Sequence, residues 1–190
     1  MAIYTKVSSK DIRLIEKKYN LGKIINFKGI KKGIENTNYL LKTKNRKFIL
    51  TIFEKRVQIN DLPFFMSLMN RLGNYKINCP KPQKTKKGSF FIKIKNKTGS
   101  IVSFVEGKDK QKLKSKDCYE IGRNIAKLHK ASRKIKLFRK NSMSLKEWPK
   151  LLRKIGNKSN GINRNLNILM KNSFEEVKTK WPKNLPSGII

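Results

Sequence analysis

Gly29 and Gly33 stand in the polar stretch Phe27-Lys28-Gly29-Ile30-Lys31-Lys32-Gly33-Ile34-Glu35-Asn36-Thr37-Asn38, with alternating apolar residues on either side. Glycine has no Cβ, so such a loop can lay backbone N–H groups directly across a phosphate. The chemistry this suits is the covering of a nucleotide by a hairpin, although the spacing is not G-x-G-x-x-G and also fits two ordinary turn glycines. No group of carboxylates in the chain is spaced to hold Mg²⁺. Cys79 and Cys118 lack C-x-x-C spacing and the chain has one histidine, His129, so neither a disulfide framework nor a zinc site is supported. His129 reads as a packing residue on a helix.

Positioning the glycine loop falls to an antiparallel meander. Ser8 or Ser9 can cap a first helix carrying Ile12, Ile15 and Tyr19 on one side, with Asp11 in its first turn and Gly22 at its end. Strands are expected over Lys23–Lys28, Thr37–Thr43 and Lys47–Glu54, the last two joined at Lys44-Asn45-Arg46. Asn60 and Asp61 open a helix with Leu62, Phe65, Met66, Met69 and Leu72 at helical spacing, expected to lie on the sheet. After the stiff connector Cys79-Pro80-Lys81-Pro82, Ser89–Lys95 and Ser100–Val105 form a hairpin about Asn96-Lys97-Thr98-Gly99. Beyond Gly107 the pattern turns helical. Ser115 is expected to cap a helix with Cys118, Ile121, Ile125 and Leu128 on one face, and Ser144 to Glu147 reads as a capping box. A last helix is expected from about Ile162 to Trp181, with Leu166, Leu169, Met170, Phe174 and Val177 apolar and Trp148 and Trp181 as core anchors. Leu185–Ile190 reads as the start of an extended, buried segment, which suggests a truncated chain. The fold class is therefore α+β: an antiparallel sheet lobe with one packed helix over residues 1–107, then an incomplete helical lobe over 108–190.

The chain has 190 residues and a formal net charge of +35. Such charge invites a nucleic-acid reading. Yet 38 lysines against 9 arginines, with 19 asparagines, is the usage of an A+T-rich genome. A selected nucleic-acid surface favours arginine and interleaved aromatics, so a solvated basic face is preferred over a polyanion surface. No signal-peptide pattern and no apolar run near the ~18 residues of a membrane span is present, so no membrane partner and a cytoplasmic location are expected.

A glycine-bearing hairpin, a sheet with one helix, an extended connector and then helices resembles the plan of the protein-kinase-like phosphotransferases. The segments Gly33-Ile34-Glu35-Asn36-Thr37-Asn38-Tyr39-Leu40-Leu41, Ile49-Leu50-Thr51-Ile52-Phe53-Glu54-Lys55-Arg56, Asp61-Leu62-Pro63-Phe64-Phe65, Phe104-Val105-Glu106-Gly107, Ile121–His129 and Trp181–Gly188 resemble bacterial homoserine kinases of the aminoglycoside-phosphotransferase-like type. The match runs almost the whole length, in order. The resemblance implies ATP-dependent phosphorylation of the hydroxyl of L-homoserine, a step toward threonine, with ATP, Mg²⁺ and homoserine as ligands. It implies that the loop from Gly29 through Gly33, Glu35 and Asn36 to Asn38 covers the ATP phosphates. It also implies that backbone groups of Ser103, Phe104 and Val105 meet the adenine at a hinge. Thr51 sits where many relatives carry a strand lysine, leaving Lys55 or Arg56 for that charge, and Glu35 or Asp61 as substitutes for the usual helix glutamate. The family's H-x-D-x-x-x-x-N loop and its metal-binding Asp fall beyond Ile190, so no catalytic or metal residue is assigned within the chain and this portion alone is expected to be inactive. The rivals are a kinase of another small-molecule hydroxyl, and a non-catalytic basic RNA-binding protein on a degenerate kinase scaffold.

Overall fold

Ser8 and Asp11 start the first element reciprocally. The Ser8 Oγ accepts from the Asp11 N–H at 3.3 Å and Asp11 Oδ2 accepts from the Ser8 N–H at 2.8 Å, which fixes Ser8 rather than Ser9 as the cap of helix α1 (Ser9–Lys18). The computed structural model describes residues 3–55, 57–184 and 188–189. Arg56 and most of the expected extended segment at Leu185–Ile190 lie outside the described residues. Among the described residues no helix is long and apolar enough to cross a membrane.

Five antiparallel strands form one sheet: β1 (Ile24–Gly29), β2 (Thr37–Thr43), β3 (Lys47–Ile52), β4 (Phe91–Ile94) and β5 (Lys97–Ser103), in the order β1-β2-β3-β5-β4. Side chains alternate between two faces along each strand. On one face Tyr39, Leu41, Phe48, Leu50, Ile52, Ile92, Ile94 and Ile101 are buried together with Ile12, Ile15 and Tyr19 from α1 and the residue after it. Burying each such side chain fully is worth about 1.5–3 kcal/mol. The helix supplying this core is thus α1, not the second helix assigned to the sheet from sequence. The β4–β5 turn also differs from expectation. It lies on Lys95 and Asn96, both at positive φ (47° and 64°), the two-residue mirror-image turn whose twist matches a hairpin. Lys97 therefore begins β5, and Gly99 lies inside that strand, where a Cβ would meet the Thr51 carbonyl and the Ile94 side chain at 3.4 Å.

Helix α2 (Leu62–Gly73) carries Pro63 in its first turn. Its Leu72 packs with Ala131 and Ile135, alongside the half-buried Leu68, Ile77, Cys79, Leu128, Leu137 and Ile189. Helix α3 (Ser115–Ser132) is capped from Lys114, whose N–H donates to Asp117 Oδ2 at 3.0 Å. An acid at the third helical position closes this end, and Ser115 is already helical. Of the face expected to be apolar, Cys118, Ile121 and Ile125 are exposed and only Leu128 is half-buried. His129 is exposed rather than packed.

The chain divides into two compact units, one running to Leu137 and including Ile189, the other Phe138–Gly188. The second contains α4 (Trp148–Ile155), a 3-10 stretch (Gly156–Gly161) and α5 (Leu166–Lys180). No capping box forms before α4. Glu147 is itself the cap residue in helical backbone geometry, and its carboxylate pairs with Lys140 at 2.6 Å and Lys150 at 3.0 Å instead of turning back to Ser144. Helix α5 starts four residues later than Ile162 because Asn165 takes a left-handed conformation (φ 64°). Trp148 stacks near Phe174 and edge-on to Trp181, with centroids 6.2 and 5.9 Å away. Leu166 and Met170 are half-buried, while Leu169 and Val177 are exposed.

Candidate functional site

The face of the sheet turned away from α1 carries the residues singled out from sequence. Strand register aligns Leu40, Ile49 and Val102 in one row across β2, β3 and β5. All three are half-buried, which makes a flat apolar strip. The next row brings Asn38 beside Thr51, whose hydroxyl donates to Asn38 Oδ1 at 2.8 Å. Thr51 thus holds the loop's end and presents no charge.

Gly29 closes β1 opposite Tyr39, and the Ile3 side chain fills the space a Cβ would take. The hairpin shuts with the Ile30 N–H on the Asn38 carbonyl at 2.8 Å. Gly33 has φ +113°, a conformation that side chains disfavour, with open space around it. Glu35 is exposed at the tip. Asn36 uses its Oδ1 to accept the Glu54 N–H at 3.2 Å. Its carbonyl is spent on the end of β3, and among the described residues its amide donors have no partner, so they are free for an anion.

At the other end of the strip stand Ser103, Phe104 and Val105, the residues expected at a hinge. Ser103 donates its N–H to the Lys81 carbonyl at 2.9 Å, and Phe104 donates to the Lys47 carbonyl at 3.1 Å. Of the three hinge N–H groups, only that of Val105 is left for a ligand among the described residues. Lys47 lies over the Phe104 ring and pairs with Glu106 at 2.7 Å. The loop and hinge are linked again by an ion pair between the exposed Lys32 and Asp109, which holds the Asp109 carboxyl below the usual carboxylate range. Lys55 is exposed in the turn after β3, closed by the Val57 N–H on the Glu54 carbonyl at 3.3 Å, and is not brought into contact with the loop. Asp61 ends a 3-10 turn (Ile59–Asp61) before α2.

Sequence reasoning missed the group that anchors this hairpin. Glu54 Oε1 accepts from the hydroxyls of Thr5 at 2.8 Å and Thr37 at 2.7 Å, and its Oε2 pairs with Lys97. Lys97 also donates to the Thr5 hydroxyl at 2.8 Å. Burial disfavours the Glu54 anion, but the bonds from Lys97, Thr37 and Thr5 and the lysine charge outweigh it and keep the carboxyl below its ordinary range. One signal was available: Ile52 faces the core, so an acid two residues further along a strand falls on the same side and needs partners.

Residues 26–190 match the family model of the phosphotransferase enzyme family APH, and the chain belongs to that family. It is 36% identical over all 190 residues to the homoserine kinases of Nitrobacter winogradskyi and Rhodopseudomonas palustris, and 35% to that of Rhizobium etli. It spans 58%, 58% and 59% of those proteins' lengths. Among solved structures it is similar to spectinomycin phosphotransferase in complex with ADP and spectinomycin, with a TM-score of 0.65 at 14% identity, over 96% of this chain and 60% of that one. The AMP-bound complex of spectinomycin phosphotransferase matches with a TM-score of 0.62. The fold is therefore the kinase-like one of the aminoglycoside phosphotransferases.

Proposed function

We propose that the chain is the nucleotide-binding part of a cytoplasmic ATP-dependent kinase that phosphorylates the hydroxyl of L-homoserine. The observation that carries the substrate is identity of 33–36% with homoserine kinases along the whole chain. The nucleotide half is supported by geometry. The strip Leu40, Ile49 and Val102 fits a planar base, and the Val105 N–H is the donor left at the hinge. The loop from Gly29 to Asn38 reaches over the phosphates with backbone N–H groups and the Asn36 amide. ADP and AMP in the spectinomycin phosphotransferase complexes support the same reading.

In the transfer, the substrate oxygen forms a bond to the γ-phosphorus as the bridging bond to the β-phosphate breaks, and the hydroxyl proton passes to a base. This chain's part is to hold the nucleotide and exclude water from its phosphates. Among the described residues no group of three or more His, Cys, Asp or Glu can hold a metal ion. The described residues thus supply no such ligand set, and no step is assigned to Mg²⁺.

Calorimetric titration of the chain with ATP tests the nucleotide half. Saturable binding is expected, weakened about tenfold in Gly33→Val because that side chain disfavours the required backbone. Binding indifferent to Gly33 overturns the site. For the substrate, the coding sequence is read past Ile190 for an in-frame His-x-Asp-x-x-x-x-Asn segment, and the whole product is assayed with homoserine and other small hydroxyl compounds. A higher kcat/KM for another hydroxyl overturns homoserine.

A further inference from the structure

Where α2 and α3 end side by side, their last turns line a groove of about 580 Å³ that shares no residue with the strip Leu40, Ile49 and Val102. Lys76 enters it from the α2 side, and Lys127, Lys130, Arg133 and Lys134 from the α3 side. All five are exposed, and no acidic side chain lines the groove. The two acids of α3 are used elsewhere: Asp117 pairs with Lys110 and Glu120 with Arg123. Among the described residues none of the five groove cations has an acidic partner. The floor is Ile77 and Ala131, seated in the apolar cluster around Leu72. The cations are thus mounted on packed structure rather than on a loose loop.

Cations near a helix C-terminus complement its dipole, and that accounts for Lys130 and Arg133 by itself. Lys76 is different. It sits at φ 57°, and the Ile77 N–H donates back to the Leu72 carbonyl at 3.4 Å. That pattern ends a helix in the left-handed slot which glycine normally occupies. A lysine is disfavoured there, and the conformation delivers its side chain to the groove.

We propose that this groove is a second anion site, for a short oligophosphate. Its volume suits a small molecule, and its charges converge from two helix ends instead of tracking along a surface as a nucleic-acid path does. Without a bound anion the five cations repel one another, so the ligand stabilises the unit as well as filling the groove.

The probe is inorganic tripolyphosphate, titrated calorimetrically into the 190-residue chain at about 0.15 M salt, where charges beyond ~8 Å are screened. Lys76→Gly is expected to raise the Tm while weakening binding about tenfold, since a charge-assisted contact is lost as the backbone is relieved. The double variant K130Q/R133Q is expected to weaken binding more, and the charge-matched K17Q/K116Q to leave it within about twofold. Equal loss in the two doubles, binding indifferent to Lys76→Gly, or no saturable binding overturns the site in favour of a diffuse field. An oligouridylate that displaces tripolyphosphate and tightens with its own length also overturns it, because the surface is then a nucleic-acid track.

Discussion

In the five-stranded sheet Leu41, Leu50, Ile52 and Ile101 are wholly removed from solvent, whereas among the described residues α4 and α5 bury no side chain in full. Both regions have amphipathic sequence. The difference is what their apolar faces meet. A strand's alternation is satisfied by its neighbours and by α1, all of which lie within the chain's first hundred or so residues. A helix stripe is satisfied only by another layer, and α5 finds Trp148 on one side while Leu169 and Val177 face water. The chain thus contains one core closed by its own elements and one helical region whose apolar residues partly face water.

The sharpest test of that contrast is Leu50→Ala against Leu169→Ala. The first is expected to lower unfolding free energy by about 2–5 kcal/mol and the second by no more than about 0.5 kcal/mol, read from urea melts. Equal effects would break the comparison. Next, Glu54→Gln removes the anion that Lys97, Thr5 and Thr37 were arranged around, with an expected loss of about 1–3 kcal/mol. Its pH dependence sharpens the point. The folded carboxyl titrates below its unfolded value, so its stabilisation is complete above the unfolded range and fades as pH falls through the folded value. The acid limb of a pH–Tm curve should therefore be steeper in the native chain than in Glu54→Gln. Trp148→Ala deletes two aromatic pairs worth about 0.5–1.5 kcal/mol each beyond area burial. Near-ultraviolet dichroism should show a weakened tryptophan signal, Trp181 being left without its partner, while strand content stays unchanged. The smallest effect is expected from Asp109→Asn, whose ion pair with Lys32 is fully exposed, with no change in Tm beyond error.

The strands were legible because alternation and turn residues are local signals, and the bounds expected for β1 to β4 lie within two residues of the observed ones. Two errors had physical causes. Placing the β4–β5 turn at Asn96–Gly99 relied on glycine as the turn marker, but Lys95 and Asn96 took the positive φ angles and Gly99 was needed for close approach inside β5. That shift hid Lys97, which had been read as a turn lysine and is the partner of Glu54. The second concerned α1 and α2. Both are amphipathic, and periodicity says which side of a helix is apolar without saying which neighbour covers it. For the candidate site, Gly33 and Asn36 were readable as loop residues, whereas Asn38 lies in β2 beside Thr51. The occupation of the Ser103 and Phe104 N–H groups was not, because it depends on where Lys81 and Lys47 run alongside.

The segment before α1 runs beside the hairpin and reaches its loop. Tyr4 donates its hydroxyl to the Ile34 carbonyl at 2.9 Å, and its N–H to Thr37 Oγ1 at 2.9 Å; the Thr5 N–H donates to the same hydroxyl at 3.1 Å. With Ile3 filling the space beside Gly29, Ile3, Tyr4 and Thr5 act as a drawstring on the loop. An affinity tag fused at this end, or a shortened start, should alter the loop and with it the affinity for ATP measured by calorimetry, so purification strategy itself becomes a variable in any binding measurement.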